Sequence, residues 1–239
     1  MEQKDLTEKV IWITGSGRGI GKATAISLAT HGARVVVSAR TTKEIEAVVS
    51  KIKSDHGNAL AIECDVSDKS QIIYLVKHVK EKWGPIDILI NNAGIGIFKK
   101  IITTEENEWD AMMDVNLKSA FLCTQAVLQD MINKGSGHII NVVSVAGKQP
   151  YYNCGGYCAS KYGLLGFTDV LRMETRKHGI NVTAFLPGAT DTAIWENADV
   201  DRAKMMTPVQ VAECVVSICA GDARSMTEEV VLRPAEGDL

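Results

Sequence analysis

No apolar run in this chain approaches the roughly 20 residues a helix needs to cross a bilayer. The opening segment, Met1 to Lys9, is polar and charged where a secretory leader would require an apolar stretch. These two absences lead to the expectation of a soluble, cytoplasmic protein. An excess of charge of one sign is missing too: 26 Lys and Arg stand against 29 Asp and Glu, a net charge of -3. Such a balance offers no electrostatic footing for nucleic acid or for an anionic membrane surface. The six cysteines, at 64, 123, 154, 158, 214 and 219, have neither the paired spacings of a zinc site nor the density of a disulfide scaffold, so reduced thiols and no metal are expected. Repeats, low-complexity tracts and linkers are likewise absent, and 239 residues fit one large domain, 1–239.

What is present is an alternation of short apolar runs and amphipathic stretches. Lys9-Val-Ile-Trp-Ile-Thr14 reads as a buried parallel strand that stops at Gly15, and a helix is expected from about Ile20 to His31. Between them lies Gly15-Ser16-Gly17-Arg18-Gly19-Ile20-Gly21. A strand, a glycine-rich turn and a helix make a phosphate cradle, because glycine lets the backbone approach a pyrophosphate and the helix N-terminus offers free N–H groups. Further strands are expected at Ala33–Ser38, Ala59–Cys64, Ile86–Ile90, His138–Val143, Ile180–Leu186 and Glu229–Leu232. Helices are expected at Thr41–His56, Asp68–Trp83, Glu105–Asn133, Gly155–His178 and from Thr207-Pro208 to Ala220. The pattern is that of an α/β protein with a doubly wound parallel sheet.

The end of the second strand lacks an acid. In dinucleotide folds a carboxylate there binds the adenosine ribose hydroxyls, whereas a basic residue accommodates a 2′-phosphate. Ser38-Ala39-Arg40 provides Arg40, which Arg18 of the glycine loop can assist, so NADP(H) is inferred over NAD(H). Asp65, followed by Val66, stands just after the third strand. It is placed either to contact the adenine amino group or to cap the turn. Asn92-Ala93-Gly94 ends the fourth strand with small residues that allow close cofactor approach, or simply a tight turn. Asn116, a weak helix former among apolar neighbours, suggests a specific hydrogen-bonding duty.

Ser144 follows the fifth strand, and Tyr157 precedes Lys161 by four residues on the expected helix. That spacing puts phenol and ammonium on one face, where the cation is expected to favour the phenolate and make the tyrosine a better proton donor than a phenol of pKa ~10. Cys154 and Cys158 flank Tyr157 at helical spacing and read as space-filling residues, with a redox switch as the alternative. Thr190, Thr192 and Trp195 follow Pro187-Gly188, and the stretch 191–206 is read as a short substrate lid.

Taken together, Thr14 to Gly21, Asn91-Asn-Ala-Gly94, Asn116, Ser144, Tyr157-x-x-x-Lys161 and Pro187-Gly188 stand in the order and spacing of the short-chain dehydrogenase/reductase family, which the chain resembles over nearly its whole length. The resemblance implies a Rossmann-type sheet of about seven strands and a catalytic tetrad of Asn116, Ser144, Tyr157 and Lys161. It implies that Tyr157 protonates a carbonyl oxygen that Ser144 also binds, and that Lys161 holds the nicotinamide ribose and lowers the Tyr157 pKa. Asn116 would position a water linking Lys161 to solvent, and Thr190 and Thr192 would lie near the nicotinamide carboxamide. Ala146, Tyr151, Asn153 and Trp195 fall where substrate contacts are expected. The last residues, Leu232 to Leu239, differ from the glycine-rich tail of tetrameric 3-oxoacyl-carrier-protein reductases, so a homodimer is expected, with a tetramer less so. The functional expectation is an NADPH-dependent ketone or diketone reductase. A 3-oxoacyl-carrier-protein reductase and a non-catalytic NADP(H)-sensing regulator stand as alternatives.

Overall fold

The computed structural model describes residues 6–196, 200–221 and 225–237. Among these residues seven strands form one sheet: β1 (Val10–Thr14), β2 (Arg34–Ala39), β3 (Asn58–Glu63), β4 (Ile88–Asn91), β5 (Gly137–Val142), β6 (Ile180–Pro187) and β7 (Glu229–Leu232). Every pairing is parallel and the spatial order is β3-β2-β1-β4-β5-β6-β7. The helices between them are α1 (Gly19–Thr30), α2 (Thr42–Ser54), α3 (Lys69–Trp83), α4 (Glu106–Met113), α5 (Ser119–Lys134), α6 (Gly155–Thr175) and α7 (Pro208–Cys219).

The strands read as continuous apolar runs because helices cover both faces. Ile11 and Ile13 of β1 belong to the core beneath α1, α2 and α7, while the alternate residues Val10 and Trp12 belong to the opposite core with α3 and α5. The chain winds outward from β1 to β3, then returns to begin β4 on the other side of β1. That reversal opens a crevice at the carboxyl ends of β1 and β4, where open parallel sheets bind their ligands.

Local signals account for several boundaries. Thr207 and Gln210 form a reciprocal capping box, with Pro208 in the first turn of α7. The Asp68 carboxylate accepts from the Ser70 N–H at 2.8 Å and opens α3. The expected helix over Glu105–Asn133 is not continuous: α4 ends at Met113, a π-turn spans Asp114–Lys118, and α5 starts at Ser119. The extra residue of a π-turn redirects the helix face, and here it turns Asn116 inward. The Tyr157 helix also ends before His178, its last residues, Arg176–His178, tightening into a 3₁₀ turn.

Candidate active site

The crevice begins at the glycine loop. Gly15 and Gly19 have φ of 63° and 55°, and a Cβ on Gly15 would lie 2.9 Å from Ala93 Cα. One on Gly21 would lie 2.5 Å from Asn92 Nδ2 and 2.6 Å from the Gly15 carbonyl, so the loop can close on β4 only without side chains. The two strand ends are stapled together. Thr14 Oγ1 accepts from the N–H groups of Asn92 and Ala93, each at 3.0 Å, and Asn92 Nδ2 donates to the Thr14 carbonyl at 2.9 Å. The α1 N-terminus carries neither a side-chain cap bond nor an acid in its first turn. A glycine-lined, uncapped helix start of this kind fits the pyrophosphate of a dinucleotide.

A cleft of about 730 Å³ runs from this loop to Tyr157 and Trp195. It brings together Gly15, Gly17, Arg18, Gly19, Ile20 and Gly21 with Arg40, Asp65, Val66, Asn92, Ala93 and Gly94. At its other end it gathers Ser144, Ala146, Tyr151, Tyr157, Lys161, Pro187, Gly188, Thr190, Thr192 and Trp195. Ser16, Ser38, Asn116 and Asn153 are not in the lining. Ser16 and Ser38 are buried: Ser16 Oγ donates to the Ile13 carbonyl at 2.8 Å and accepts from the Ser38 N–H at 2.9 Å, while Ser38 Oγ accepts from Trp12 Nε1 at 2.8 Å. Both hydroxyls tie β1 to β2 and support the loop from behind. Asn153 is exposed in a left-handed conformation, φ 61°, just before α6. Asp65 does cap its turn, accepting from the Ser67 N–H at 2.9 Å, while also facing the cleft.

An acid reaches the adenosine end after all. The last residues of β2 carry none, but the first turn of α2 brings Glu44 into the wall beside Arg18 and Arg40. A Cβ on Gly17 would meet its carboxylate oxygen at 2.9 Å. Linear inspection misses Glu44 because it lies beyond the strand end, and only the turn into α2 folds it back.

At the reactive end Ser144 leaves β5 with φ 148° and ψ 158°, a region that non-glycine residues rarely enter and that costs of order 1–3 kcal/mol. Its Oγ accepts from the Ala146 N–H at 3.1 Å, and the hydroxyl hydrogen bonds to the Tyr157 phenol. Lys161 Nζ lies 5.8 Å from the Tyr157 ring centroid and donates to the Val142 carbonyl at 3.0 Å. Lys161 is only 3% exposed, and burial lowers its ammonium pKa to about 8.

The expectation that this cation lowers the tyrosine pKa is not met. Burial raises the phenol to about 12, and what opposes that rise is the Ser144 hydrogen bond. The ammonium is turned toward the Val142 carbonyl, and desolvation is the largest influence on the phenol. Burial likewise raises the Cys154 thiol to about 11, which keeps it protonated and argues for the space-filling reading over a redox switch.

Asn116, 1% exposed, spends its amide on neighbours: Oδ1 accepts from the Ile95 N–H at 2.8 Å, and Nδ2 donates to the Ile95 carbonyl and to Ser160 Oγ, each at 2.9 Å. It thereby holds Gly94 next to Lys161, since a Cβ on Gly94 would be 3.4 Å from Asn116 Oδ1 and 3.6 Å from Lys161 Nζ. Phe98 and Tyr152 also line the cleft. Tyr152 belongs to the aromatic stretch expected from the sequence beside the substrate, whereas Phe98 lies in an irregular segment that no sequence signal marks.

This geometry has parallels among known proteins. The family model described as short chain dehydrogenase matches residues 9–203. A sepiapterin reductase of Chlorobaculum tepidum is 35% identical over 239 residues, covering 96% of this chain and 98% of that protein. A 3-oxoacyl-[acyl-carrier-protein] reductase of Synechocystis is 38% identical over 205 residues, 85% of this chain and 83% of that one. Among solved structures, a metagenomic short-chain oxidoreductase in complex with NADP superposes with a TM-score of 0.86 at 35% identity, covering 96% of this chain and 98% of that one. With the parallel sheet, the glycine cradle and the Ser-Tyr-Lys grouping on one cleft, this chain belongs to the short-chain dehydrogenase family and is an NAD(P)-dependent oxidoreductase.

Proposed function

We propose that the protein reduces the carbonyl of a small ketone or diketone to a secondary alcohol, using NADPH, with Tyr157 as general acid. The observation that carries this reading is the convergence of Ser144, Tyr157 and Lys161 on one end of the cleft whose other end is the glycine loop. NADPH, when bound, supplies the hydride. Gly15 to Gly21 hold its pyrophosphate, Arg18 and Arg40 its 2′-phosphate, and Thr190 and Thr192 flank its nicotinamide end. The neighbour that holds NADP supports the phosphorylated cofactor.

Ser144 orients the carbonyl oxygen by hydrogen bonding and steadies the charge that develops there. Tyr157 gives that oxygen its phenolic proton, and the Lys161 ammonium, within 5.8 Å of the ring, offsets the negative charge left on the phenol. Lys161 also engages the ribose hydroxyls, and Asn116 keeps the Gly94–Ile95 backbone in place beside it. The segment 191–206 acts as a lid, with Trp195 on its described part; residues 197–199 of that segment lie outside the described residues. Cysteine spacings without a disulfide pattern suit the cytoplasm, and an exposed apolar face on α5 and α6 suits a homodimer.

The test is a panel of ketones, diketones and 3-oxoacyl thioesters followed by loss of NADPH absorbance. Turnover of the thioesters alone would favour the 3-oxoacyl reductase reading, which the Synechocystis relative supports. NADPH binding without turnover of anything would favour a sensor. Tyr157→Phe is expected to lower kcat by roughly 10²–10⁴-fold, the usual worth of a general acid, with NADPH affinity largely kept. Retained turnover would remove Tyr157 from the acid role.

A further inference from the structure

Two rings with no part in the proton chemistry continue outward from the reactive phenol. Phe98 meets Tyr157 edge-on, with centroids 5.6 Å apart at 81°, and lies nearly parallel to Trp195 at 5.3 Å and 25°. Both are half-buried and both line the cleft, so part of each ring is left for a ligand. We propose that Phe98 and Trp195 form an aromatic clasp that selects planar, conjugated carbonyl compounds, such as aryl or heteroaryl ketones, over flexible or saturated ones of the same size. The inference rests on the carbonyl-reductase reading above and names its substrate class.

Each ring is held from behind. Trp195 Nε1 donates to the Thr190 carbonyl at 3.0 Å, which satisfies the indole's one polar group and presents the rest as an apolar plate. Phe98 is fixed through Lys99, whose backbone bridges to Cys154 at the start of α6 and whose ammonium pairs with Glu108. Gly96 makes room for the fold of the segment: a Cβ there would lie 2.7 Å from Phe98 Cζ and 2.9 Å from Ile194 Cδ1. A flat ring sliding along such plates gains offset stacking and loses little rotamer freedom. A saturated or flexible group finds no matching face and must freeze its torsions.

The experiment compares 1-phenylpropane-1,2-dione with 1-cyclohexylpropane-1,2-dione, which differ in ring planarity and conjugation but not in heavy-atom count. Wild type is expected to favour the phenyl compound in kcat/KM. Phe98→Leu, which keeps an apolar side chain but removes the π-face, is expected to shrink that preference about tenfold. Gly96→Ala, which adds a methyl against the ring while keeping Phe98, is expected to shift it in the same direction. An unchanged preference in both variants overturns the clasp.

Binding of both compounds to the NADP⁺-loaded protein is measured in parallel by tryptophan fluorescence, with Trp195→Phe to assign the signal. If wild type reduces neither compound, the carbonyl panel above judges the reductase reading and binding alone judges the clasp. Tighter phenyl binding that Phe98→Leu abolishes supports it, and equal affinities in wild type and variant overturn it.

Discussion

Two of the side chains that do the proposed chemistry destabilise the fold that holds them. Ser144 sits in a backbone region suited to glycine, and Lys161 is buried with its ammonium bonded to one carbonyl. Because burial lowers the folded-state pKa of Lys161 from 10.5 to about 8, the unfolded chain binds the proton more tightly between those values. The penalty is therefore full below pH 8 and fades as pH rises toward 10.5. It amounts to about 3 kcal/mol, and leaving the Val142 carbonyl unpaired in a Lys161→Met variant offsets about 2 kcal/mol of that. We expect Lys161→Met to be more stable than wild type by about 1 kcal/mol at pH 7, to be less stable than it by about 1–2 kcal/mol at pH 10, and to lose activity at both. Urea unfolding at the two pH values reads the crossover, and a variant less stable at pH 7 would contradict it. The adenosine end provides a second residue-scale prediction. Arg40→Asp is expected to raise KM for NADPH about 10–100-fold while changing that for NADH much less, since a charge-assisted contact to phosphate is exchanged for repulsion. Equal changes would place the 2′-phosphate elsewhere.

At the scale of elements, most of the sheet was legible in the sequence, because strands buried on both faces must be apolar throughout and are bounded by glycine, proline and polar turns. The π-turn at Asp114–Lys118 was not. Asn116 marks the stretch as a weak helix former but does not say how the helix responds, and what opens the extra residue is the pairing of Asn116 with Ile95 and Ser160, contacts 21 and 44 residues away. The β5–β6 pairing carries a further device of this kind. His138 Nε2 lies 2.9 Å from Thr183 Oγ1, which donates its own proton to the Thr227 carbonyl at 2.6 Å, so the ring nitrogen must be the N–H donor. Burial lowers the His138 pKa from 6.5 to about 4, so the ring stays neutral in the fold. The unfolded chain takes up a proton there first, and stability falls as pH drops from about 6.5 toward 4, by up to about 3 kcal/mol from this group. A His138→Gln variant is expected to show a shallower loss of stability across that window in unfolding titrations. A parallel slope would exclude His138 as the cause.

At the scale of the whole molecule, α6 presents Tyr162, Val170 and Met173 to solvent, with Gly166 open among them at the same helical spacing and Phe121 of α5 alongside. An apolar stripe of that extent on the outer face suits a second copy of the chain. We propose this stripe as the seam of a homodimer and expect wild type to sediment as a dimer and Met173→Glu as a monomer at micromolar concentration. A wild-type monomer under those conditions would remove the stripe from that role.

The order of strands and helices, the glycine cradle and the Tyr157–Lys161 spacing were determined by the sequence alone. They depend on backbone freedom and on periodicity, which are properties of neighbours along the chain. The tertiary structure alone decided that Glu44 joins Arg18 and Arg40 in the cleft wall, that Ser16 and Ser38 lie outside the cleft lining, that Phe98 joins Trp195 beside the phenol, and that burial raises the Tyr157 pKa. Each of these depends on how much solvent is excluded and on which distant side chain fills the space, and both are set only when the sheet and its two helical layers close together.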